Sequence, residues 1–226
     1  MDQFTKYSHL TRQLDVLPVD RLNHPIHIIG VGAIGSLVAL NLAKMGLTNQ
    51  VVYDFDTVSV ENMSCQFYRH KDIGKSKVHA LHELIKDFTN EEIIPVESRW
   101  TPDPSRISGT VVIAVDDMEA RKSISEDLRS HINVSHFIDT RMGLEDAALY
   151  VMNPHDEKDR ETYGKTLYSN QEAVQERCTA KATIYTASML AGFAAKAVKN
   201  LVCGEAYPRV SLWSVQNNSL SSWVRI

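Results

Sequence analysis

The chain has 226 residues, a formal charge of −4 and a hydrophobic share of 43%. That length suits one α/β domain with a large core and is short for two, and neither number is that of a nucleic-acid-binding protein. Three cysteines, Cys65, Cys178 and Cys203, form no Cys-x-x-Cys pair and leave one over in any disulfide scheme, which argues for a reducing compartment and against a structural zinc.

Met1 to Val19 mixes charge and polarity throughout, so no targeting segment is expected. Residues 1–20 read as a polar helical arm with a turn at Pro18, carrying Arg12 and Gln13. The longest uncharged stretch of the C-terminal helix, Ala182 to Ala195, is too short to span a bilayer. The expectation is a cytoplasmic protein that engages neither membrane nor nucleic acid.

From residue 26 the sequence reads IHIIGVGAIGSLVALNLAKMG. An apolar β-rich run at Ile26, Ile28 and Ile29 turns on Gly30, Gly32 and Gly35, and a helical pattern follows to Lys44. In such a strand, turn and helix the first glycine permits the turn, the second lets backbone approach a phosphate, and the third lets helix and strand pack. Gly46 closes the helix, and a second strand, Val51 to Asp54, ends in an acid where a ribose hydroxyl would be read. The unit predicts a nucleotide site; the glycine pattern alone does not say which nucleotide.

Past Asp54 the chain adds groups that a dinucleotide site does not need. Asp56 follows, then Asn62 and Gln66, and after Gly74 comes Ser76 between Lys75 and Lys77 at the start of a helix. Acceptors for ribose, amide donors and cations for phosphate oxygens thus fall within one short arc. Val78, Leu81, Leu84, Ile85 and Phe88 recur at three and four residues, marking that helix as amphipathic. His79 and His82 lie three apart on it and are assigned no metal role.

EEIIPVESRW reads as a third strand, at an edge or a bulge because of Pro95, and TPDPSR as a loop. TVVIAVDD is an apolar strand ending in Asp116 and Asp117, which places carboxylates where open α/β sheets bind ligands. Asp117 also suits the N-cap of the helix that follows. SHFIDT and AALYVMNP are two further β-rich runs bracketing RMGLED, which contains Arg141. Residues 153–177 are polar and nearly free of aliphatic side chains, the composition of a mobile loop or lid. Cys178 comes next, flanked by Arg177 and Lys181 and directly before a helix of small and apolar residues, where a thiolate is favoured; the alternative is a small buried residue. Two alternating runs around Asn217 and Asn218 read as a C-terminal β-hairpin.

These motifs together resemble the adenylation core of the ThiF, MoeB and HesA family, which is similar to the catalytic half of ubiquitin-activating enzymes. The resemblance runs from Arg12 to about Val202. It implies ATP-dependent adenylation of the C-terminal glycine of a ubiquitin-like or sulfur-carrier protein. By position, Gly30, Gly32 and Gly35 would line the ATP site and Asp54 would hold the ribose, with Asp56 beside it. Asn62 and Gln66 match the Asn and Gln of the family's Asn-x-x-Arg-Gln stretch, and Lys77 matches the lysine that reaches the phosphates. Asp116 matches the ligand of the ATP-bound Mg2+. Arg12 resembles an arginine that reaches the ATP of the opposite subunit in a homodimer. Cys178 is similar to the cysteine that takes the activated carrier as a thioester or acyl persulfide, and 153–177 to a crossover loop over the carrier tail.

One departure stands out. The arginine of Asn-x-x-Arg-Gln is absent and Cys65 occupies its place; Arg69, one helical turn on, is the candidate substitute. The expectation is therefore one adenylation domain over residues 1–226, a Rossmann-like α/β fold with a mostly parallel sheet, helices on both faces and a C-terminal hairpin. ATP and Mg2+ would be its cofactors, and a carrier with a conjugating enzyme or sulfurtransferase its partners. Two alternatives remain at this level. Cys65 motivates a non-catalytic nucleotide-binding subunit, and the glycine turn with Asp54 motivates an NAD-dependent oxidoreductase. Carrier identity, and sulfur transfer against protein tagging, are not written in the residues.

Overall fold

A computed structural model describes residues 7–101, 107–168 and 182–223. Among these residues eight strands form one sheet: β1 (Ile26–Ile29), β2 (Gln50–Tyr53), β3 (Ile94–Val96), β4 (Gly109–Ile113), β5 (Val134–Gly143), β6 (Asp146–Met152), β7 (Val210–Ser214) and β8 (Ser219–Trp223). Their spatial order is β3-β2-β1-β4-β5-β6-β7-β8. The first five in sequence run parallel, and β6, β7 and β8 are added antiparallel. From β1 the chain first builds outward to β2 and β3, then returns to lay β4 on the other side. That reversal leaves a crevice at the C-terminal ends of β1 and β4, the place where such sheets bind ligands.

Among the described residues, five α-helices cover the sheet: α1 (Gly35–Lys44), α2 (Lys77–Thr89), α3 (Met118–Asp127), α4 (Glu157–Gly164) and α5 (Ile184–Cys203). Because side chains alternate along a strand, neighbouring residues serve opposite cores. Ile28, Val112 and Ile138 pack with Val38, Leu81, Ile85 and Leu190 of α1, α2 and α5. Ile29, Val111, Ile113 and Phe137 pack with Ile124 and Tyr163 of α3 and α4. Burial on both faces is why these strands read as unbroken apolar runs.

The edges follow their turn chemistry. Pro95 sits in β3 at the sheet edge, where a missing N–H costs no ladder bond. Asn218, at φ 51°, completes the tight β7–β8 turn.

Three expectations need correction. Among the described residues of the N-terminal arm, from Tyr7 onward, there is no regular helix: Ser8–Leu10 is a 3₁₀ turn followed by further turns, because the apolar residues there are spaced to dock rather than to form a helical stripe. Leu10 and Leu17 are buried, and Gln13 donates to the carbonyl of Met45 at 2.8 Å. RMGLED is mostly strand, since β5 runs through Arg141 to Gly143, β6 starts at Asp146, and only Leu144, at φ 48°, and Glu145 make the reversal. The polar stretch 153–177 includes a helix, α4, not a continuous loop. Asp156 caps it by accepting from the Asp159 amide at 3.0 Å, and buried Tyr163 docks it edge-on to Phe137 and Tyr150. Residues 169–177 lie outside the described part.

Candidate active site

The glycine elbow divides into two closed positions and one open one. Gly30 has φ +84°, and a Cβ there would lie 2.7 Å from the carbonyl oxygen of Ala114, across the crevice at the end of β4. A Cβ on Gly35 would overlap the carbonyl oxygen of Gly30. Gly32 differs, because a Cβ would meet only Gln66 Nε2, at an ordinary 3.7 Å. The protein itself does not require glycine there; backbone left bare beside the first turn of α1 is what an approaching phosphate requires. That turn has no side-chain cap, since Ile34 stands at the N-cap.

The acids after β2 first organise the elbow. Asp54 accepts from the amide of Val31 at 2.8 Å through one oxygen and from the amide of Asp56 at 2.9 Å through the other. Tyr68 donates from its hydroxyl to the Val31 carbonyl at 2.6 Å, so one residue of the elbow is held at both its N–H and its C=O. Burial, and then the charges of Asp54 and Asp72, raise the Tyr68 phenol well above its ordinary value and keep it a donor. Asp56 receives the ammonium of Lys77 at 2.8 Å, and Lys77 is itself buried at the start of α2. Lys75 is turned elsewhere, onto Glu83 at 2.7 Å.

The stretch after Ser59 is a 3₁₀ turn, Val60–Ser64, closed by a capping box in which Asn62 Oδ1 accepts from the amide of Ser59 at 3.2 Å. Gln66 comes beside Gly32, and its buried Oε1 has no hydrogen-bond partner. An orphaned amide oxygen next to bare backbone and an uncapped helix fits a nucleotide bound across the elbow. Cys65 is a free, half-buried thiol.

Arg69 does not substitute for the missing arginine. It donates to buried Asp72 at 2.7 and 3.1 Å, pairs with Asp87, and lies 3.5 Å from Glu83. Its fork binds the turn before α2 to that helix. Burial works against the charge of Asp72, but the hydrogen bonds from Arg69 and the charges of Arg69 and Lys75 outweigh it and hold the carboxyl below its usual range. Sequence distance predicted reach, and the nearer carboxylates took the side chain.

Across the crevice, Asp116 is exposed just past β4 and Asp117 caps α3, accepting from the Ala120 amide at 2.7 Å. A lone exposed carboxylate at this point fits Mg2+, which takes one or two protein carboxylates and fills its shell with phosphate oxygens and water. Arg141 is a structural group, largely beneath the surface. It donates to Asp139 at 2.6 Å and to Thr166, with the Tyr150 ring 4.5 Å from its guanidinium.

Arg12 is exposed on the docked arm, and Cys178 lies outside the described residues. Sequence reading missed Tyr68, and it missed Phe55 as a site residue. Phe55 follows Asp54, is 51% exposed and has the Arg99 guanidinium 4.2 Å over its ring. An exposed aromatic directly after the ribose candidate was the available signal.

Comparison with known proteins agrees with this geometry. A ThiF family model matches residues 19–225. The NEDD8-activating enzyme E1 catalytic subunit of Dictyostelium discoideum is 34% identical over 103 residues, 43% of this chain and 23% of that protein. Ubiquitin-like modifier-activating enzyme 5 of the same organism is 38% identical over 63 residues, 28% of this chain and 16% of that one. The chain thus spans under a quarter of the length of these relatives. Among solved structures, PaaA superposes with a TM-score of 0.77 at 17% identity, over 98% of this chain and 75% of its own. Escherichia coli MccB crystallised with ATP does so at 0.68 and 14%, over 91% and 65%. With a model match over most of its length, the chain belongs to the ThiF family.

Proposed function

We propose that this protein uses ATP to adenylate the C-terminal glycine of a small ubiquitin-like or sulfur-carrier protein. The observation that carries the reading is the asymmetry of the elbow, where protein atoms close off Gly30 and Gly35 and leave Gly32 bare beside the orphaned Gln66 oxygen. The E1-type relatives support a ubiquitin-fold substrate.

In this reading the carrier's terminal carboxylate attacks the α-phosphorus of ATP, the bond from that phosphorus to the bridging oxygen breaks, and pyrophosphate leaves an acyl-adenylate behind. The ribose is held on Asp54, and the base lies against the exposed Phe55. Lys77 exchanges Asp56 for phosphate oxygens as charge builds on them, and Asn62 and Gln66 supply amide contacts. Mg2+, when bound, neutralises phosphate charge, with Asp116 as its protein ligand. Cys178 then attacks the acyl carbon as thiolate, expelling AMP and forming a thioester. Arg12 acts on the nucleotide of a second copy in a homodimer. Downstream, a conjugating enzyme or sulfurtransferase receives the product, in the cytoplasm. Among the described residues no helix is long and apolar enough to cross a membrane.

The test is ATP–pyrophosphate exchange with purified protein and β-grasp proteins captured from the source cell. Exchange that depends on the carrier's terminal glycine is expected; ATP-independent capture with no exchange sinks the reading. A second reading, a non-catalytic nucleotide-binding subunit, is favoured by one observation: neither Cys65 nor the diverted Arg69 supplies an arginine to the phosphates. A large gain of exchange in Cys65→Arg would favour it.

A further inference from the structure

We propose that Arg121 is the positioning residue for Asp116, and that Asp139 ties it to Arg141 and to the segment after α4. Arg121 lies in α3 and is 6% exposed, a depth at which a guanidinium is tolerated only with its donors satisfied. It donates to the carboxylate of Asp139, to the carbonyl of Thr140 at 2.9 Å and to the carbonyl of Val115. Val115 directly precedes Asp116. Holding that carbonyl fixes the plane of the Val115–Asp116 peptide, and with it the direction in which the Asp116 side chain leaves the end of β4.

The far side of the same carboxylate is also occupied. Asp139 is fully buried, and its second oxygen accepts from Arg141 Nε at 2.6 Å and from the Tyr163 hydroxyl at 3.1 Å. Arg141 reaches on to the carbonyl and hydroxyl oxygens of Thr166 at 2.7 and 3.0 Å. Thr166 follows α4, within the candidate crossover segment 153–177. One buried carboxylate thus holds two guanidinium groups, one anchored beside Asp116 and the other on Thr166 within that segment. A lysine ammonium, a point charge on a flexible stem, cannot span the three acceptors of Arg121 together.

What Asp116 does rests on the adenylation reading; the contact geometry does not. The first measurement therefore uses nucleotide-free protein. The Ala114 amide donates to the Ile29 carbonyl at 2.8 Å. Arg121→Lys is expected to speed hydrogen exchange at Ala114 at least tenfold with Ile113 unchanged, and Arg141→Lys to speed it at both Thr166 and Ala114. Unchanged exchange at Ala114 in Arg121→Lys overturns the positioning role, and a change confined to Thr166 in Arg141→Lys overturns the link through Asp139. Arg121→Met, which removes the donor to Val115 without leaving a charge at that depth, serves if the lysine variant does not fold.

The second measurement is calorimetry of α,β-methylene-ATP over a Mg2+ series. Arg121→Lys is expected to raise the Mg2+ needed for half-maximal binding about tenfold, in the direction of Asp116→Asn, with Mg2+-free affinity within twofold of the native protein. A shift in Asp116→Asn without one in Arg121→Lys overturns the proposal. Absence of analogue binding to the native protein at any Mg2+ concentration overturns the adenylation reading instead, and the exchange experiment then decides the positioning role alone.

Discussion

The ammonium of Lys77 lies 2.8 Å from a carboxylate oxygen of Asp56, and the two residues are joined again through the backbone, Lys77 N to Asp56 O at 3.0 Å. Lys77 is buried while Asp56 keeps half its side chain in water, so the cation is fixed and its partner is replaceable. Removing the cation, as in Lys77→Met, should lower ATP–pyrophosphate exchange by about 10²-fold or more, the scale of losing one preorganised charge-stabilising donor. Asp56→Asn should change it by less than about tenfold, since the phosphates replace that partner in the reacting complex. Equal losses in both variants would show that Asp56 is needed alongside Lys77 and is not replaced by the phosphates.

The three elbow glycines should separate in the melting curve. Gly35→Ala drives a methyl into the Gly30 carbonyl, and about 3 kcal/mol of destabilisation is expected by urea titration. Gly32→Ala should leave the midpoint nearly unchanged and weaken ATP binding about tenfold or more, because the methyl occupies space meant for phosphate. A Gly32→Ala protein that binds ATP normally would remove the observation on which the proposed function stands.

Arg69→Ala tests the diverted arginine. It strands the charge of Asp72, whose side chain is fully buried, and should cost about 2 kcal/mol, below the roughly 3–5 kcal/mol of a fully buried pair because Arg69 keeps 27% of its side chain in solvent. Nucleotide affinity should be nearly unaffected. A large loss of affinity at unchanged stability would return Arg69 to the phosphates.

Acid should weaken the fold through its histidines. His27 is buried in β1 with its Nδ1 3.2 Å from the Tyr53 hydroxyl; burial, then the charge of His131, lowers its pKa to about 4. His136 is lowered to about 4 by burial and then by Arg209, with Asp159 opposing. The unfolded chain takes up these protons near pH 6.5 and the native state only near 4, so stability is fully present above 6.5 and falls as pH drops through that window. His27 alone should account for about 2–3 kcal/mol. His27→Gln should flatten the dependence of melting temperature on pH between 4 and 6.5, and an unaltered slope would clear His27 of the effect.

What the sequence made legible was local or periodic. The elbow, the acid at the end of β2, the Asp117 cap, Pro95 at an edge and the Asn217–Asn218 hairpin each depend on residues a few positions apart. Tyr68 reaching Val31, Arg69 turning to Asp87, and Asp139 shared by two arginines depend on pairs brought together by the fold, which no spacing rule encodes. The helix α4 was hidden for another reason. It buries Tyr163 and Asp159 rather than an aliphatic stripe, so its surface composition resembles that of a loop.

The family match begins at residue 19, yet Leu10 and Leu17, ahead of it, are 2% and 1% exposed. Leu10 fills the space a side chain at Gly46 would occupy, its Cδ1 2.6 Å from that position. Trimming the protein to the matched region would uncover a greasy seat at the end of α1 and invite clumping, a handling fault easily mistaken for lack of activity.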